Sequence, residues 1–160
     1  MRQTRNDLTY EYVASRYRYD PDTGDFISIR KNRPVGSPNM QGYLILEMER
    51  GRKRLIHRMI WLLATGSWPK QQIDHINGDP SDNRWTNLRE ATSQQNLQNR
   101  AVFKNNKLGV KGVIKEKGRY RAQLWHNGKF RLNKHFDTIE EAVSAYQAAA
   151  IAHHGDFARR

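Results

Sequence analysis

Residues 119–125 carry the feature that most limits what this chain can fold into, because apolar and polar side chains alternate there. A period of two predicts a strand with one buried face. The Asn127-Gly128 pair that follows favours a tight hairpin turn, so residues 130–136 are predicted to return as a second strand. One face of the first strand carries Tyr120, Ala122 and Leu124, and the other carries Arg119, Arg121, Gln123 and Trp125.

A helix is predicted directly after this hairpin. Thr138 and Glu141 have the spacing of a capping box, in which each side chain accepts a hydrogen bond from the other residue's backbone. Gly155 is a natural C-terminal stop. With a first strand near residues 110–115, residues 109–158 are predicted to form a three-stranded antiparallel sheet with one packed helix, whose open face is cationic.

The charge of the chain indicates a polyanion as its partner. The 160 residues include 28 Lys and Arg against 16 Asp and Glu, a net charge of +12, and neutralising phosphates releases bound counterions. Ten Lys or Arg and a single acid, Glu116, lie in residues 101–135, interleaved with aromatic residues. A merely soluble basic protein is the alternative on charge alone.

Composition also excludes several classes of protein. No segment reaches the roughly 20 apolar residues of a membrane span, and the N-terminus leads into no apolar region, so neither a signal peptide nor membrane association is expected. There is no cysteine, which excludes disulfides and thiolate zinc sites. A cytoplasmic setting fits this composition.

The first 70 residues are predicted to be β-rich. Residues 20–25 form a turn, because proline presets its backbone and glycine permits a positive φ. Strands are predicted over residues 26–29 and 42–48, and a short helix over residues 58–65, ended by Gly66.

Residues 71–100 are dense in Asp, Asn and His, and they carry the candidate chemistry. Phosphodiester cleavage needs a base to activate water and a cation to neutralise charge on the phosphate. His75 is the natural base, since imidazole titrates near neutral pH, and Asp74 is a hard ligand suited to Mg²⁺ or Mn²⁺. Neighbouring residues of a strand point to opposite faces. A bulge or a strand end at Ile76-Asn77 is therefore needed if Asp74 and His75 are to act at one site. Asn96, on a helix predicted to begin at residue 92 or 93, would complete a sparse metal site.

This run of residues resembles the HNH endonucleases with a ββα-metal core, and in particular the phage- and intron-borne branch that lacks cysteines. The resemblance implies that Asp74 and Asn96 hold one divalent cation, Mg²⁺ or Mn²⁺, with no zinc. It implies that His75 activates water and that Asn87 braces the loop between the two strands. It also implies homing as a biological role and 5′-phosphate and 3′-hydroxyl ends. The motif is Asp74-His75, Asn83, Asn87-Leu88-Arg89 and Asn96.

Two neighbouring features have open interpretations. His57-Arg58 matches a recurring pair upstream of that core, and His57 is equally compatible with a fold-stabilising hydrogen bond and a phosphate contact. The cluster of Asp79, Asp82 and Asn83 could bind calcium, but a glycine-containing turn rich in Asp and Asn is usually only a turn.

Residues 109–158 resemble the APETALA2 DNA-binding fold, whose sheet enters the major groove. The resemblance lies in Gly109–Val113, Tyr120–Leu124 and Phe136-Asp137-Thr138 and in the Ala-rich helix. Asn133-Lys134 replaces the family's Leu-Gly, which leaves the register of the third strand open by one residue. The residues predicted to contact DNA are His57, Arg58, Arg84, Arg89, Lys111, Lys115, Arg119, Arg121, Gln123, Trp125, Lys129 and Arg131.

Together these patterns predict an α+β protein with a nuclease domain over residues 1–100, whose ββα core occupies about residues 71–100. A basic linker over residues 101–108 and a DNA-binding domain over residues 109–158 follow. The expected function is metal-dependent nicking of duplex DNA by a monomer, in the host cytoplasm or nucleoid if the chain is phage-encoded. A sequence-specific DNA-binding regulator with an inactive HNH core, and an RNA-directed nuclease, are the alternatives. Cleavage requires water to reach His75.

Overall fold

The computed structural model describes residues 8–48, 51–100, 102 and 106–158. Glu49 and Arg50 of a predicted turn, and residues 101 and 103–105 of the predicted linker, lie outside the described residues. The elements are α1 (Tyr10–Ala14), β1 (Tyr17–Tyr19), β2 (Phe26–Ser28), β3 (Arg33–Pro34), β4 (Ser37–Pro38), β5 (Leu44–Glu47), β6 (Lys53–Leu55), α2 (Ile56–Thr65), β7 (Gln72–His75), β8 (Leu88–Ala91), α3 (Ser93–Asn99), β9 (Val113–Glu116), β10 (Arg119–His126), β11 (Lys129–Phe136) and α4 (Ile139–His154). The predicted α+β class is confirmed, and every sheet in the described part is antiparallel.

The chain divides into two compact units, Met1–Ser93 and Gln94–Arg160. The division falls at the start of α3, so that all but the first residue of this helix groups with the C-terminal residues. The sequence pattern had instead grouped α3 with the strands before it.

The N-terminal unit contains the sheets β1-β2-β3, β4-β5-β6 and β7-β8. Helix α2 supplies much of its core, since Ile56, Met59 and Ile60 are fully buried, each contributing about 1.5–3 kcal/mol through removal from water. The helix begins two positions before the predicted start and ends, as predicted, at Gly66, whose φ of 75° allows its N–H to reach the carbonyl of Leu62. The core residues are Val13, Phe26, Ile56, Met59, Ile60, Leu62, Ile73 and Leu88.

The C-terminal unit contains the predicted three-stranded sheet, in the order β11-β10-β9, with α4 packed against it. Both hydrogen bonds of the predicted capping box at Thr138 and Glu141 are present. Gly112 has a φ of 70°, and a Cβ there would collide with the ring of Tyr146, so glycine is required on two grounds. The buried residues are Val113, Ala122, Leu124, Ala142, Tyr146 and Ala150.

The register of the third strand contains a one-residue irregularity. Leu124 pairs with Leu132 and Trp125 pairs with Phe130, so Arg131 is left between two pairs as a β-bulge. This bulge resolves the one-residue ambiguity in the sequence pattern.

Candidate functional site

The hairpin of β7 and β8 positions the first group of candidate residues. Asp74 pairs with Arg89 and His75 with Leu88, in continuous register. Strand β7 ends at His75, so a strand end rather than a bulge accompanies the Asp-His pair. Alternation within a strand would point Asp74 and His75 to opposite faces, and the strand end at His75 is the feature that the sequence pattern required for both to act at one site.

Asn87 closes the loop between these two strands. Its Oδ1 accepts from the backbone N–H of Asn77 at 2.9 Å, and its Nδ2 donates to Asn77 Oδ1 at 3.0 Å and to the carbonyl of Asp82 at 2.7 Å. Asn87 is buried, and these three bonds satisfy most of its amide. The loop that follows His75 is thereby fixed at both ends.

His75 is buried, with 4% of its surface exposed, and its ring is held by Asn83. The distance from His75 Nε2 to Asn83 Oδ1 is 3.0 Å. An amide oxygen can only accept, so this contact is a hydrogen bond in the tautomer that carries its hydrogen on Nε2, and in that tautomer Nδ1 has the lone pair of a base. Asn83 is 2% exposed, and its Nδ2 has no hydrogen-bond partner among the described residues.

The N-terminal turn holds the backbone of Asn83. Tyr19 Oη donates to the carbonyl of Asn83 at 2.9 Å, and the carbonyl of Pro21 accepts from Trp85 N at 3.1 Å. A Cβ on Gly24 would lie 2.8 Å from the carbonyl carbon of Asn83, so only glycine permits this approach. Burial, with the nearby carboxylate of Asp20, raises the pKa of Tyr19 to about 12, and its hydroxyl remains a donor.

The carboxylate of Asp74 forms an ion pair with Arg89. Its Oδ2 accepts from Arg89 Nε at 2.9 Å, and Arg89 Nη2 lies 2.8 Å from the same oxygen. Asp74 is only 4% exposed, so the pair is largely shielded from water. The carboxylate has the chemistry of a Mg²⁺ or Mn²⁺ ligand, but Arg89, predicted to contact DNA, is its partner here. Direct cation binding would require this ion pair to rearrange.

His57 is also buried, at 4% exposure, and its ring meets the ring of His75 edge-on with centroids 5.2 Å apart. Its ring lies 5.4 Å from that of Tyr43. Burial, followed by the nearby His75 and Arg58, lowers the pKa of His57 to about 3, so it is neutral near neutral pH. This position favours a role in the fold over phosphate contact. Nδ1 of His57 has no hydrogen-bond partner in the described part of the chain.

The two other predicted DNA contacts of this unit also have protein partners. Arg58 Nη1 donates to the carbonyl of Gln71 at 3.3 Å. Arg84 Nε donates to Asp82 Oδ1 at 2.8 Å, and this contact lowers the pKa of Asp82 to about 2. Arg84 remains exposed, so a phosphate could still approach it.

The structure places Asn96 on α3, in the second compact unit, whereas Asp74 belongs to the first. Among residues 8–48, 51–100, 102 and 106–158, no group of three or more His, Cys, Asp and Glu side chains is placed to hold a metal ion. Asn96 carries an amide oxygen, one of the oxygen ligands that hard cations accept.

The predicted DNA contacts of the C-terminal unit divide between two faces of the sheet. Ala122 and Leu124 are buried in the core with α4, so alternation places their neighbours on the opposite, outer face. Those neighbours are Arg119, Arg121, Gln123 and Trp125. Trp125 and Phe130 stack edge to face on this surface, 59% and 51% exposed.

The remaining members of that set lie elsewhere. Lys115 is paired with Tyr120, on the α4 side, with its Nζ 5.7 Å from the Tyr120 ring. Lys129 and Arg131 are exposed on β11. Lys111 Nζ is bonded to main-chain carbonyls. On the outer face, Arg119 pairs with Asp137 at 2.8 Å and Arg121 with Glu116 at 3.3 Å.

The segment that carries most of the candidate site resembles a known protein family. Residues 54–98, which run from β6 through most of α3, match the family model of the HNH endonucleases. Over 106 residues the chain is 34% identical to protein 3.8 of Escherichia phage T7, across 64% of this chain and 87% of that protein. This chain belongs to the HNH endonuclease family.

Two further matches are a viral protein and a solved structure. An uncharacterised HNH endonuclease, L560 of Acanthamoeba polyphaga mimivirus, is 34% identical over 108 residues, and this HNH chain spans 56% of its length and aligns over 66% of its own. A solved structure, titled "DNA binding and cleavage by the HNH homing endonuclease I-HmuI", is 19% identical with a TM-score of 0.47, covering 86% of this chain and 81% of that one. At that TM-score the likeness is loose. Within the described part of this HNH protein, the helices are too short or too polar to cross a membrane.

Asn83 is the site residue whose role the sequence pattern missed. It stands in a loop so rich in Asp, Asn and Gly that its side chain was assigned to the turn. Its burial and its contact with His75 depend on Tyr19 and Gly24, more than fifty positions away along the chain. No local sequence pattern predicts the contact between Asn83 and His75.

Proposed function

We propose that this HNH protein is a metal-dependent DNA endonuclease that hydrolyses phosphodiester bonds in duplex DNA, one strand at each visit. The observation that carries the proposal is the His75–Asn83 pair, which holds the imidazole that follows Asp74 in one orientation, within the segment that matches the HNH family model. A single base of this kind serves one strand, so a monomer is expected to nick.

The proposed chemistry is displacement at phosphorus. His75 Nδ1 takes a proton from water, the water oxygen forms a bond to phosphorus, and the bond between phosphorus and the 3′ oxygen breaks. The departing 3′ oxygen takes a proton from solvent, which leaves 5′-phosphate and 3′-hydroxyl ends. A divalent cation, Mg²⁺ or Mn²⁺, bound through the oxygens of Asp74 and Asn96, would supply positive charge at the phosphate. Asn83 and Asn87 keep the His75 ring and its loop in one orientation.

Two contacts described above have to change for this reaction to occur. His75 must admit water and phosphate to a ring that is 4% exposed, and Asp74 must exchange Arg89 for the cation. Once released, Arg89 is expected to approach the phosphate that it was predicted to contact. DNA binding would thus convert a closed arrangement into an open one.

The outer face of the C-terminal sheet is the proposed duplex-binding surface. It presents Arg119, Arg121 and Gln123 beside the exposed pair Trp125 and Phe130. Guanidinium and amide groups contact phosphates and base edges, and an antiparallel ribbon fits the major groove. Lys129 and Arg131 extend the cationic surface along the neighbouring strand.

Nicking of supercoiled plasmid and phage genomic DNA with Mg²⁺ or Mn²⁺ tests the proposal. We expect wild-type protein to nick, chelation to abolish nicking, and His75→Ala to lower the rate about 10²–10⁴-fold, the contribution of a general base. His153→Ala, on α4, is the matched control and should nick normally. Competition between duplex DNA and duplex RNA should favour DNA, because the major groove of A-form RNA is too narrow for a sheet.

The burial of both His75 and Asp74 favours one second candidate, a DNA-binding regulator whose nuclease core is closed and inactive. This candidate predicts tight DNA binding that is unchanged by His75→Ala and no metal-dependent nicking on any DNA. End sequencing of the cut sites on phage and host DNA would exclude it.

A further inference from the structure

Helix α3 is bound at several points by residues of the C-terminal sheet unit. Gln94 Nε2 donates to Asn127 Oδ1 at 3.0 Å, and Gln98 Nε2 lies 3.2 Å from His126 Nδ1. Asn127 and His126 form the end of the β10–β11 hairpin. Gln94 and Gln98 are four positions apart, so they lie on one face of α3 and hold successive turns against the hairpin.

Lys111 secures the other end of the same helix. Its Nζ donates to the carbonyl of Gln98 at 2.6 Å and to the carbonyl of Arg100 at 3.0 Å. The last carbonyls of a helix have no partner within it, and a cation there also meets the negative end of the helix dipole. Lys111 precedes Gly112, whose backbone is fixed against Tyr146, so the ammonium group is attached to the core of the unit.

We propose that the C-terminal unit positions α3 for cleavage, with Lys111 as a positioning residue, in addition to binding DNA. Asn96 lies between Gln94 and Gln98 in sequence, and at about 100° per residue it falls on the side of α3 opposite to them. The hairpin contacts therefore set the direction of Asn96 without covering it. This inference rests on the proposed function only for the role of Asn96 as a ligand.

Two substitutions in the full-length protein test the proposal. Lys111→Met removes both bonds to the carbonyls, and Lys111→Arg keeps a donor there. Asn127→Gly removes the bond to Gln94 without changing charge, and glycine suits the φ of 51° at this position. Lys117→Met, in the other tight turn of the same unit, is the matched control for loss of one charge.

The first measurement is hydrogen exchange of the α3 amides, without DNA or metal. We expect Lys111→Met and Asn127→Gly to speed exchange in α3 about 10-fold or more relative to β10, with Lys111→Arg and Lys117→Met like wild type. Exchange in α3 that is unchanged in both variants would overturn the proposal. This readout holds even if the wild-type protein proves not to nick, in which case only the proposed function fails.

The second measurement is single-turnover nicking as a function of DNA concentration. Lys111→Met should lower the maximal rate about 10-fold and leave the DNA concentration for half-maximal rate nearly unchanged, while Lys111→Arg restores the rate. The opposite pattern, an unchanged maximal rate with weaker binding and a salt slope smaller by about one, identifies Lys111 as a phosphate contact. That result would overturn its assignment as a positioning residue.

Discussion

The two units of this protein treat polar side chains in opposite ways. In the N-terminal unit, His57, Asp74, His75, Asn83 and Asn87 are all buried. In the C-terminal unit, the residues proposed to bind DNA are exposed or half-buried on the outer face of a sheet, over a small core that includes three alanines. A buried polar group destabilises the fold unless it forms a hydrogen bond or an ion pair, whereas an exposed polar group can be solvated by water.

The buried groups of the N-terminal unit serve chemistry and the outer face of the C-terminal sheet serves attachment, whereas Asn96, on α3 of the second unit, is proposed to serve chemistry. A general base and a metal ligand require fixed orientation and a controlled dielectric, which burial and hydrogen bonds provide. Contacts with a polyanion require accessible charge, which a solvated face provides. Variants in the first unit should therefore change the rate of cleavage, and variants on the outer face of the second should change affinity and its salt dependence.

The largest expected effect concerns the core of the C-terminal unit. Gly112→Ala places a methyl group against the Tyr146 ring at a φ of 70°, and we expect it to lower the free energy of unfolding by about 3–4 kcal/mol. Urea unfolding followed by tryptophan fluorescence measures this, with loss of DNA binding in parallel. Gly118→Ala is the control, because its φ is 83° with open space around it, and it should cost about 1 kcal/mol. Equal losses would show that Tyr146 does not confine this position.

The next effect tests whether the first unit acts through orientation. Asn83→Ala removes the acceptor of the His75 bond, and we expect the nicking rate at saturating DNA to fall about 100-fold, the lower end of a general base's contribution. Affinity for DNA should not change. Asn32→Gly, an exposed turn position in the same unit with a φ of 46°, is the control. A normal nicking rate for Asn83→Ala would show that Asn83 does not orient His75 for cleavage.

A third prediction concerns the pH dependence of stability. His57 has a pKa of about 3 when folded, against the usual 6.5 of a free imidazole, so below pH 6.5 the unfolded chain binds a proton that the folded chain does not. Stability is complete above pH 6.5 and declines as the pH falls towards 3. In His57→Phe we expect the loss of unfolding free energy between pH 6 and 4 to be smaller by about 2 kcal/mol.

Chemical denaturation at several pH values measures this slope. Met40→Phe, at a fully exposed position of the same unit without a titratable group, is the control and should leave the slope as in wild type. An unchanged slope in His57→Phe would mean that His57 is accessible to protons in the folded protein.

The smallest effect belongs to the exposed face. Arg121→Ala should weaken DNA binding about 3- to 10-fold and reduce the salt slope by about one, with an unchanged rate at saturating DNA. Lys134→Ala removes a charge from β11 at a position paired with buried Ala122, on the helix side of the sheet, and should have less effect. Fluorescence anisotropy across a salt series compares the two. Equal losses would indicate a diffuse electrostatic contribution rather than one binding face.

Local patterns predicted the C-terminal unit well. The alternation around Ala122, the Asn127-Gly128 turn and the capping box at Thr138 each depend on residues a few positions apart. In the N-terminal unit, helix α2 was also predicted. Strands of two or three residues, such as Arg33–Pro34, were not, because they carry no periodicity and exist through pairing alone.

The candidate site was predicted in its chemistry but not in its environment. Asp74 and His75 were identified from residue type and Asn87 from the resemblance to HNH endonucleases, and Asn87 makes the loop contacts expected of a brace. The burial of His57, the Asp74–Arg89 pair and the contact of Asn83 with His75 were not foreseen. Each brings together groups that are distant in sequence or on different elements.

By itself, the sequence determined the residue types of the site, the net positive charge and the local elements, because side-chain chemistry and short-range backbone preferences act within a few residues. Only the tertiary structure decided which polar groups are buried, which base is oriented by which amide, and that α3 packs with the residues after it. Those outcomes depend on long-range packing, where Tyr19 and Gly24 meet Asn83 and Lys111 meets the end of α3.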